Sequence, residues 1–394
     1  MKKKILIVTS LFTGKSFGGT DRHTYELSKT LSSQYEITIC TTTGSDYITW
    51  RGDYQEGESK IDNFKILRFK TEKYRNIKKF NRLYTNLIKK KYISKEEGVN
   101  FINQQGPVVN KLLKYIENNA GNFDIILFIG YMYFPIINSI SLVKEKAVLI
   151  PALHDEAVAY FPIYKNILTD EISYAFNTIE ELELFKKIFK FTPKKNNIIG
   201  INISQNDEVD DINRFNNINY KYFIYIGRID EGKGILEIIN FFKNWKSKYH
   251  SEVKLILAGT GVNKYCTDDD IIFTGFINER EKQFLIQNSI LVINPSAMES
   301  FSIVIMEAWM NEKAVLVNSK SETLKNHCLR SNAGLFFYDS ESFEKTVNFV
   351  YCNTKLLNQM GSNGKRYVEM NYSPTIILEK FNRLFFTHIL SHQK

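Results

Sequence analysis

The sequence predicts an α/β protein built from two Rossmann-like domains, each containing a parallel sheet. The chain has 394 residues, which is too long for a single domain with one ordinary hydrophobic core. Its composition, 43% hydrophobic and 24% charged, is typical of a soluble globular protein. Short apolar runs alternate with helical patterns in two successive series, which favours parallel strands joined by right-handed crossovers. We therefore expect two domains that face each other across a cleft.

The first series predicts an amino-terminal domain over residues 1–203. It opens with a buried strand over Ile5–Ser10, a loop containing Gly18 and Gly19, and a helix over Asp21–Leu31. The apolar run after Met1 is too short for a signal peptide, so we interpret it as this first strand. Further strand patterns follow at Tyr35–Thr41, Asp124–Ile129, Ala147–Ile150 and Tyr174–Asn177.

The second series predicts a carboxy-terminal domain over residues 204–373. The boundary falls in Gln205–Asn219, a polar stretch without periodicity. The final segment, 374–394, is again amphipathic and is expected to pack back onto the first domain. The strand patterns of this series are Tyr222–Gly227, Val253–Gly259, Ile271–Thr274, Ile290–Asn294 and Ala314–Asn318.

The net charge of +9 is concentrated in one segment. Residues 65–95 contain twelve Lys or Arg and one acid, so the rest of the chain is slightly acidic. This distribution argues against general nucleic-acid binding. A basic helix is predicted over about 76–92, with Ile77, Phe80, Leu83, Tyr84, Leu87 and Ile88 at helical spacing. Its cations, mostly on other faces, are Lys78, Lys79, Arg82, Lys89 and Lys90.

Two interpretations of this basic helix stay open. It is either a cationic amphipathic helix that lies on an anionic membrane surface, or a core-packed helix with a solvated basic face. The sequence contains no apolar run of membrane-spanning length.

The four cysteines of the chain are widely scattered, at Cys40, Cys266, Cys328 and Cys352. We expect a reduced cytoplasmic protein, peripheral on the inner face of the membrane if the first interpretation holds.

Two carboxylates, Glu299 and Glu307, stand eight positions apart around a short turn that leads into an apolar helical pattern. If both were helical, they would share one face. If Ser300 and Ser302 open the helix, Glu299 precedes it and Glu307 lies about one turn or more inside. The free N–H groups of the first turn would then form an anion site. The plainer alternative is a helix cap and an exposed helical acid, but the apolar neighbours of Glu307 favour a position facing a cleft.

A second group of candidate residues follows the strand at the start of the second domain. Gly227 and Arg228 end this strand, and Lys233 and Gly234 open the next helical pattern. Ligands of open α/β sheets gather beyond the carboxyl ends of strands. Arg228 offers a planar fork of donors and Lys233 a point charge, which together could neutralise a diphosphate leaving group without a metal ion. Alternatively, both are solvated loop cations.

No metal site is predicted. The run Asp268–Asp270 directly precedes a strand, which favours a polar turn over a metal-binding motif. The histidines His23, His250, His327, His388 and His392 show no ligand spacing.

These motifs together resemble glycosyltransferase family 4, whose members share the GT-B fold of two facing Rossmann-like domains. The resemblance covers almost the whole chain. The matching residues are Gly18-Gly19, His154 within Ala-Leu-His-Asp-Glu, Phe176-Asn177-Thr178, Gly227-Arg228 with Lys233-Gly234, Ala258-Gly259-Thr260-Gly261, Thr274-Gly275-Phe276-Ile277, the Glu299–Glu307 pair and Cys328–Leu335.

The resemblance implies a role for each matching residue. Glu307 would bond ribose hydroxyls, Glu299 sugar hydroxyls, and His154 the sugar or the departing phosphate. The family usually has glycine where this chain has Ser300 and Ser302. The implied catalytic residues are Arg228, Lys233, Glu299 and His154. The implied donor-binding residues are Gly18, Gly19, Gly227, Gly259, Gly275, Phe276, Ser300, Phe301, Ser302, Ile303 and Glu307.

By this resemblance the function is that of a retaining glycosyltransferase. It would move a hexose-type sugar from a nucleotide sugar to a glycan or lipid-linked glycan acceptor. The resemblance favours a UDP-sugar or a GDP-sugar as the donor. No metal or other cofactor is implied, and bacterial surface polysaccharide or lipopolysaccharide synthesis is the expected setting. Two alternatives stay open: a sugar-nucleotide epimerase of the same fold, and a non-catalytic membrane-associated glycan-binding subunit.

Overall fold

The structure is a computed structural model that describes residues 2–14, 18–204, 213–215, 217–261 and 268–390. It divides into two compact units. The amino-terminal unit comprises Met1–Asn202 together with Pro374–Lys394, and the carboxy-terminal unit comprises Ile203–Ser373. Most of the predicted boundary segment, Gln205–Asn219, lies outside the described residues, as does Cys266. Both units are α/β domains built on largely parallel sheets.

The sheet of the amino-terminal unit has the order β3-β4-β2-β1-β5-β6-β7-β8. Its strands are β1 (Lys4–Val8), β2 (Glu36–Thr42), β3 (Gly57–Ile61), β4 (Phe64–Phe69), β5 (Ile125–Ile129), β6 (Ala147–Ile150), β7 (Ser173–Phe176) and β8 (Asn196–Ile198). Its first helices are α1 (Gly19–Ser32), α2 (Ile77–Leu87), α3 (Lys95–Gln105), α4 (Asn110–Asn119), α5 (Phe134–Ile140), α6 (Pro162–Ile167) and α7 (Ile179–Phe189). Single 3₁₀ turns occur at Ala120–Asn122, Lys144–Lys146 and Ala157–Tyr160.

The central strands β1, β5 and β6 form as predicted because their side chains are apolar on both faces of the sheet. Every residue of β5 is buried, and the buried run Ile5–Val8 fills β1. Such continuous apolar runs are typical of parallel strands covered by helices. The edge strand β3 is the exception, since it pairs antiparallel with β4 and is largely exposed. The sequence Gly-Glu-Ser-Lys-Ile has no apolar alternation, so the pattern did not predict this strand.

The basic helix is shorter than the predicted segment 76–92. Helix α2 begins after Asn76, whose side chain accepts a hydrogen bond from the Lys79 N–H group, and it ends at Leu87. A new helix, α3, then starts behind a capping box at Ser94. The apolar side chains Phe80, Leu83, Tyr84 and Leu87 pack on the core of the unit. Most of the predicted apolar stripe is therefore used for folding.

The sheet of the carboxy-terminal unit is parallel, with the order β11-β10-β9-β12-β13-β14. Its strands are β9 (Tyr222–Ile226), β10 (Lys254–Ala258), β11 (Ile271–Gly275), β12 (Leu291–Asn294), β13 (Val315–Asn318) and β14 (Gly334–Phe337). Its helices are α8 (Ile235–Tyr249), α9 (Glu279–Asn288), α10 (Ile303–Met310), α11 (Glu322–Ser331), α12 (Ser340–Tyr351) and α13 (Thr354–Tyr372). Its 3₁₀ turns are Asn213–Phe215 and Glu231–Lys233. This strand order is that of the Rossmann fold, and it reverses between β9 and β12.

The last helix, α14 (Pro374–Leu390), returns to the amino-terminal unit. The Tyr35 hydroxyl donates to the Asn382 side chain at 2.7 Å, and Lys380 Nζ donates to the Ile199 carbonyl at 3.0 Å. Buried Phe381 and Phe385 add apolar contact. No helix in the described ranges is both long and apolar enough to cross a membrane.

Candidate functional site

The candidate site lies where the strand order of the carboxy-terminal sheet reverses. Strands β9 and β12 are neighbours, with Phe223 beside Leu291 and Ile224 beside Val292. Their carboxyl ends therefore bring two loops together: the loop 227–234 after β9 and the loop 295–302 after β12. In an open α/β sheet this reversal point is where a ligand crevice forms.

Gly234 permits the close contact between these two loops. Its φ is +73°, and a Cβ atom at this position would lie 2.8 Å from the Pro295 carbonyl oxygen. The same carbonyl accepts a hydrogen bond from Asn318 Nδ2 at 3.0 Å. Backbone packing at Gly234 thus fixes the position of one loop against the other.

Two of the predicted catalytic residues form an ion pair at this point, and a third, Arg228, lies in the same loop as Lys233. Lys233 Nζ lies 2.7 Å from Glu299 Oε1, and their side chains are 26% and 17% exposed. Arg228 is 73% exposed, and its Nη2 lies 3.6 Å from Asp230 Oδ2. The Tyr225 hydroxyl donates to the Arg228 carbonyl at 2.7 Å, which holds the backbone of the loop. The result is a partly buried ion pair beside a solvent-facing guanidinium group.

Helix α10 begins at Ile303, directly after Ser302. The interpretation that the serines precede the helix is confirmed, and the alternative with both acids on one helical face is wrong because Glu299 lies outside the helix. Ser302 has φ +72° and ψ 91°, a left-handed backbone region that favours glycine. Asn294 Nδ2 donates to Ser302 Oγ at 3.0 Å and helps to hold this conformation.

Glu307 is buried and forms an ion pair that the sequence motif did not predict. Its Oε1 atom lies 2.7 Å from Lys282 Nζ, and the same ammonium lies 2.7 Å from Glu279 Oε2. Lys282 stands on α9 and Glu307 on α10, 25 residues apart in sequence. No local pattern marks a contact of this kind.

The predicted donor-binding glycines of this unit serve the packing of its backbone. Gly227 N–H donates to the Ala258 carbonyl and Gly259 N–H to the Gly275 carbonyl, both at 2.9 Å. A Cβ atom on Gly259 would lie 1.9 Å from the Gly227 carbonyl oxygen. Gly227 and Gly259 therefore continue the backbone pairing beyond β9 and β10, and at Gly259 no side chain would fit.

Phe276 follows these glycines and is 54% exposed. Arg214 Nη1 donates to the Phe276 carbonyl at 3.2 Å, and Arg214 Nη2 donates to the Thr274 carbonyl. Arg214 was not predicted, because the polar stretch around it lacks periodicity. It fixes the backbone on both sides of Gly275.

In the amino-terminal unit, Gly18 and Gly19 lie at the start of α1. Gly18 has φ −175°, an extended conformation that any residue adopts. A Cβ atom at Gly18 would be 3.7 Å from the Tyr47 ring, and one at Gly19 would meet nothing within 4 Å. Neither position requires glycine for the packing of the described residues.

His154 lies in the loop after β6 and is half-buried. The backbone of this loop is held by Glu181, a 2% exposed residue of α7. Glu181 Oε1 accepts from the Leu153 N–H group at 2.7 Å, and Oε2 accepts from the Asn177 N–H group at 2.6 Å. Burial raises the pKa of Glu181 to about 8, although backbone N–H groups oppose this shift. Glu181 thus ties the loops that follow β6 and β7, a role that no motif indicated.

No group of three or more His, Cys, Asp or Glu residues in the described ranges could hold a metal ion. Asp268 pairs with Lys243 at 3.0 Å and Asp270 with Lys246 at 3.1 Å, within a turn. The Asp270 N–H group and nearby lysines lower the pKa of Asp268. This aspartate run is the polar turn that its position before β11 predicts.

Residues 208–367 match the family model of glycosyl transferases group 1. No curated protein sequence matches the chain. Among solved structures, sucrose-phosphate synthase from Thermosynechococcus elongatus matches with a TM-score of 0.71 and 13% identity, covering 99% of this chain and 100% of that one. Anabaena HepE in complex with UDP and glucose gives a TM-score of 0.68 and 12% identity, with coverages of 98% and 100%.

A third solved structure is WaaG, described as a glycosyltransferase involved in lipopolysaccharide biosynthesis. It matches with a TM-score of 0.66 and 12% identity, covering 95% of this chain and 98% of that one. At these identities the structural likeness shows the fold, which is GT-B. Together with the family match over residues 208–367, it identifies the chain as a glycosyltransferase.

Proposed function

We propose that this glycosyltransferase is a retaining enzyme of family 4 that transfers a hexose-type sugar from a UDP- or GDP-sugar to a glycan. The observation that carries the proposal is the Lys233–Glu299 pair, 2.7 Å apart, beside exposed Arg228 where the strand order reverses. Cations and a carboxylate at one sheet edge suit a ligand with both phosphates and hydroxyls. The UDP and glucose in the HepE complex support a UDP-sugar as the first donor to test.

In the proposed reaction, the bond between the anomeric carbon and the phosphate oxygen breaks, and a bond to the acceptor oxygen forms on the same face. A leaving phosphate oxygen takes the acceptor proton. Arg228 and Lys233 stabilise the negative charge that grows on the diphosphate, an electrostatic contribution that is often the largest in catalysis. The reaction as proposed needs no divalent metal.

Glu299 and Glu307 bind hydroxyl groups in this proposal, on the sugar and the ribose respectively. They do not act as the acid and nucleophile of a glycosidase, because Glu299 pairs with Lys233 and Glu307 with Lys282. His154 contacts the sugar or the departing phosphate. The N–H groups at the start of α10 hold the sugar or the phosphates.

A donor screen followed by product analysis tests the proposal. We expect one UDP- or GDP-sugar to raise the unfolding temperature, because a ligand at 100 times its Kd adds about 2.7 kcal/mol of stability. With a glycan acceptor, NMR of the product should show the anomeric configuration of the donor. Arg228→Ala should lower kcat by roughly 10²–10³-fold while the protein stays folded.

Each alternative outcome has a distinct meaning. Unchanged turnover by Arg228→Ala and Glu299→Ala would overturn the proposed site. An epimerised nucleotide sugar without transfer would indicate the epimerase, and donor binding without turnover would indicate a non-catalytic subunit. An inverted product would refute retention alone.

We further propose that the acceptor is an intermediate of surface polysaccharide or lipopolysaccharide synthesis. We also propose that the protein is cytoplasmic and that its basic segment binds the anionic inner face of the membrane. Lys78, Lys79 and Arg82 are exposed on α2. Ile77, Ile88 and Tyr92 add apolar surface that is 40%, 41% and 76% exposed. A basic surface with protruding apolar side chains suits the headgroup region of a bilayer. The description of WaaG supports the same class of acceptor.

Liposome sedimentation tests the membrane proposal. Lys78→Glu/Lys79→Glu should reduce binding to vesicles that contain anionic lipid, since each basic residue near the surface contributes about 1 kcal/mol. The control Lys29→Glu/Lys60→Glu reverses two exposed lysines elsewhere in the same unit and should bind like the wild type. Equal binding by all three proteins, or binding to neutral vesicles alone, would contradict it.

A further inference from the structure

Lys282 occupies a position that the family motifs do not explain. Its ammonium lies 2.7 Å from Glu307 and 2.7 Å from Glu279, and the Lys282 side chain is only 12% exposed. Glu307 itself is 8% exposed in its side chain. One buried cation is thus shared between an acid of its own helix and the acid that the donor-site motif contains.

The location of Lys282 is unfavourable for a lysine that serves only the helix. It is the fourth residue of α9, close to the positive end of the helix dipole, where an acid is preferred. Burial of an ammonium group adds a desolvation cost. The Asn278–Glu281 capping box fixes the first turn of α9 and so directs Lys282 toward α10. The ion pairs with Glu279 and Glu307 offset these costs, and only the second of them joins α9 to α10.

Two other polar side chains near α10 face different partners. His327 of α11 packs against the rings of Phe301 and Trp309, and Lys365 of α13 pairs with Glu312 at 2.9 Å. Lys282, by contrast, reaches the Glu307 carboxylate directly. A buried carboxylate stays ionised when a cation is placed against it, and it keeps one orientation when that cation is itself held.

We infer that Lys282 is a positioning residue of the donor site, which holds Glu307 ionised and oriented to bind the ribose hydroxyls of a ribonucleoside diphosphate sugar. The inference rests on the proposed function, because it takes Glu307 as the ribose anchor. Removal of the ammonium takes away the ion pair that holds the Glu307 carboxylate against α9. The carboxylate is then a less well oriented acceptor for the ribose hydroxyls.

Binding of UDP and of 2′-deoxy-UDP, measured by calorimetry, tests the inference. We expect Lys282→Met to weaken UDP binding by roughly 10–100-fold, the range for loss of a charged hydrogen bond, and to narrow the preference for UDP over the deoxy form. Lys282→Arg keeps the charge, so its UDP affinity and its preference for UDP over 2′-deoxy-UDP should both lie within a few fold of the wild-type values. With the donor sugar, Lys282→Met should raise KM more than it lowers kcat.

The control is Lys345→Met, which removes an exposed lysine paired with Glu341 on α12 of the same unit. It should leave UDP binding unchanged. If Lys282→Met fails to fold, Lys282→Gln and Lys282→Arg provide the same comparison, since only the arginine retains the cation.

Glu307→Ala separates this inference from the proposed function. If Glu307→Ala loses UDP binding but Lys282→Met keeps wild-type affinity and preference, the role of Lys282 is overturned while the ribose anchor stands. If Glu307→Ala also binds UDP like the wild type, the proposed ribose anchor itself is wrong. Equal effects of Lys282→Met and Lys282→Arg would show that packing, and not charge, matters at this position.

Discussion

Gly234→Ala is expected to disrupt both stability and donor binding, through one backbone contact. Gly234 has φ +73°, and its missing Cβ would lie 2.8 Å from the Pro295 carbonyl oxygen. A left-handed backbone costs alanine about 1–2 kcal/mol, and overpacking against a backbone atom adds about 1–3 kcal/mol. The alanine also lowers the conformational entropy of the unfolded chain, which offsets about 0.4–1 kcal/mol of this loss. The expected net loss is about 1–5 kcal/mol.

The same substitution should weaken donor binding more than a general loss of stability would. Gly234 follows Lys233 directly, and Pro295 begins the loop that carries Glu299, so a shift between the loops separates the 2.7 Å ion pair. Gly232→Ala is the matched control, because Gly232 lacks a positive φ and its nearest outside atom is a side-chain oxygen of Asp230 at 3.3 Å and not a backbone atom. Urea unfolding and UDP calorimetry of both variants provide the assay. Equal stability and affinity of the two variants would refute the reasoning.

Three further predictions concern buried polar groups. Ser302→Gly should change the free energy of unfolding by less than about 1 kcal/mol, because relief of backbone strain offsets the lost Asn294 hydrogen bond, whereas Ser302→Ala should lose about 1 kcal/mol in urea unfolding. The pKa of Glu181 is raised to about 8 in the folded chain, above its unfolded value, so this residue makes stability fall as pH rises from about 4.5 to 8. Glu181→Gln should flatten that slope in urea titrations at pH 6 and pH 8, and an unchanged slope would contradict the assignment. Burial lowers the pKa of His327 to about 3, so its contribution is present above pH 6.5 and is lost as pH falls toward 3. His327→Phe should therefore lose less stability than the wild type between pH 7 and pH 5, and thermal unfolding at the two pH values checks this.

Local patterns predicted the parts of the fold that depend on local physics. The runs Ile5–Val8 and Ile125–Ile129 are apolar on both faces, so they predicted central parallel strands. The exposed strand β3 carries no such pattern and was missed. For the basic segment, periodicity indicated an apolar face but did not decide what it packs against. That face lies on the core through Phe80, Leu83, Tyr84 and Leu87.

In the candidate site too, some features were predicted from the sequence and others only the structure shows. The positions of Arg228, Lys233 and Glu299 after strands predicted that they belong to one site, because ligands of open α/β sheets gather beyond the carboxyl ends of the strands. The family resemblance assigned Gly227 and Gly259 to donor binding, and only the structure shows that Gly259 meets the Gly227 backbone. Glu181 and Lys282 were missed because their partners lie on other elements.

By itself, the sequence determined the α/β class and the alternation of strands and helices. Both follow from the periodicity of apolar residues along the chain. The start of α10 after the serines was one of two alternatives that the sequence left open. The tertiary structure alone decided that Glu307 pairs with Lys282, that Glu181 holds the loop of His154, and that Gly234 joins two loops. These contacts depend on where separate elements pack, since an ion pair or a close backbone approach acts over a few ångströms and leaves no periodic trace along the chain.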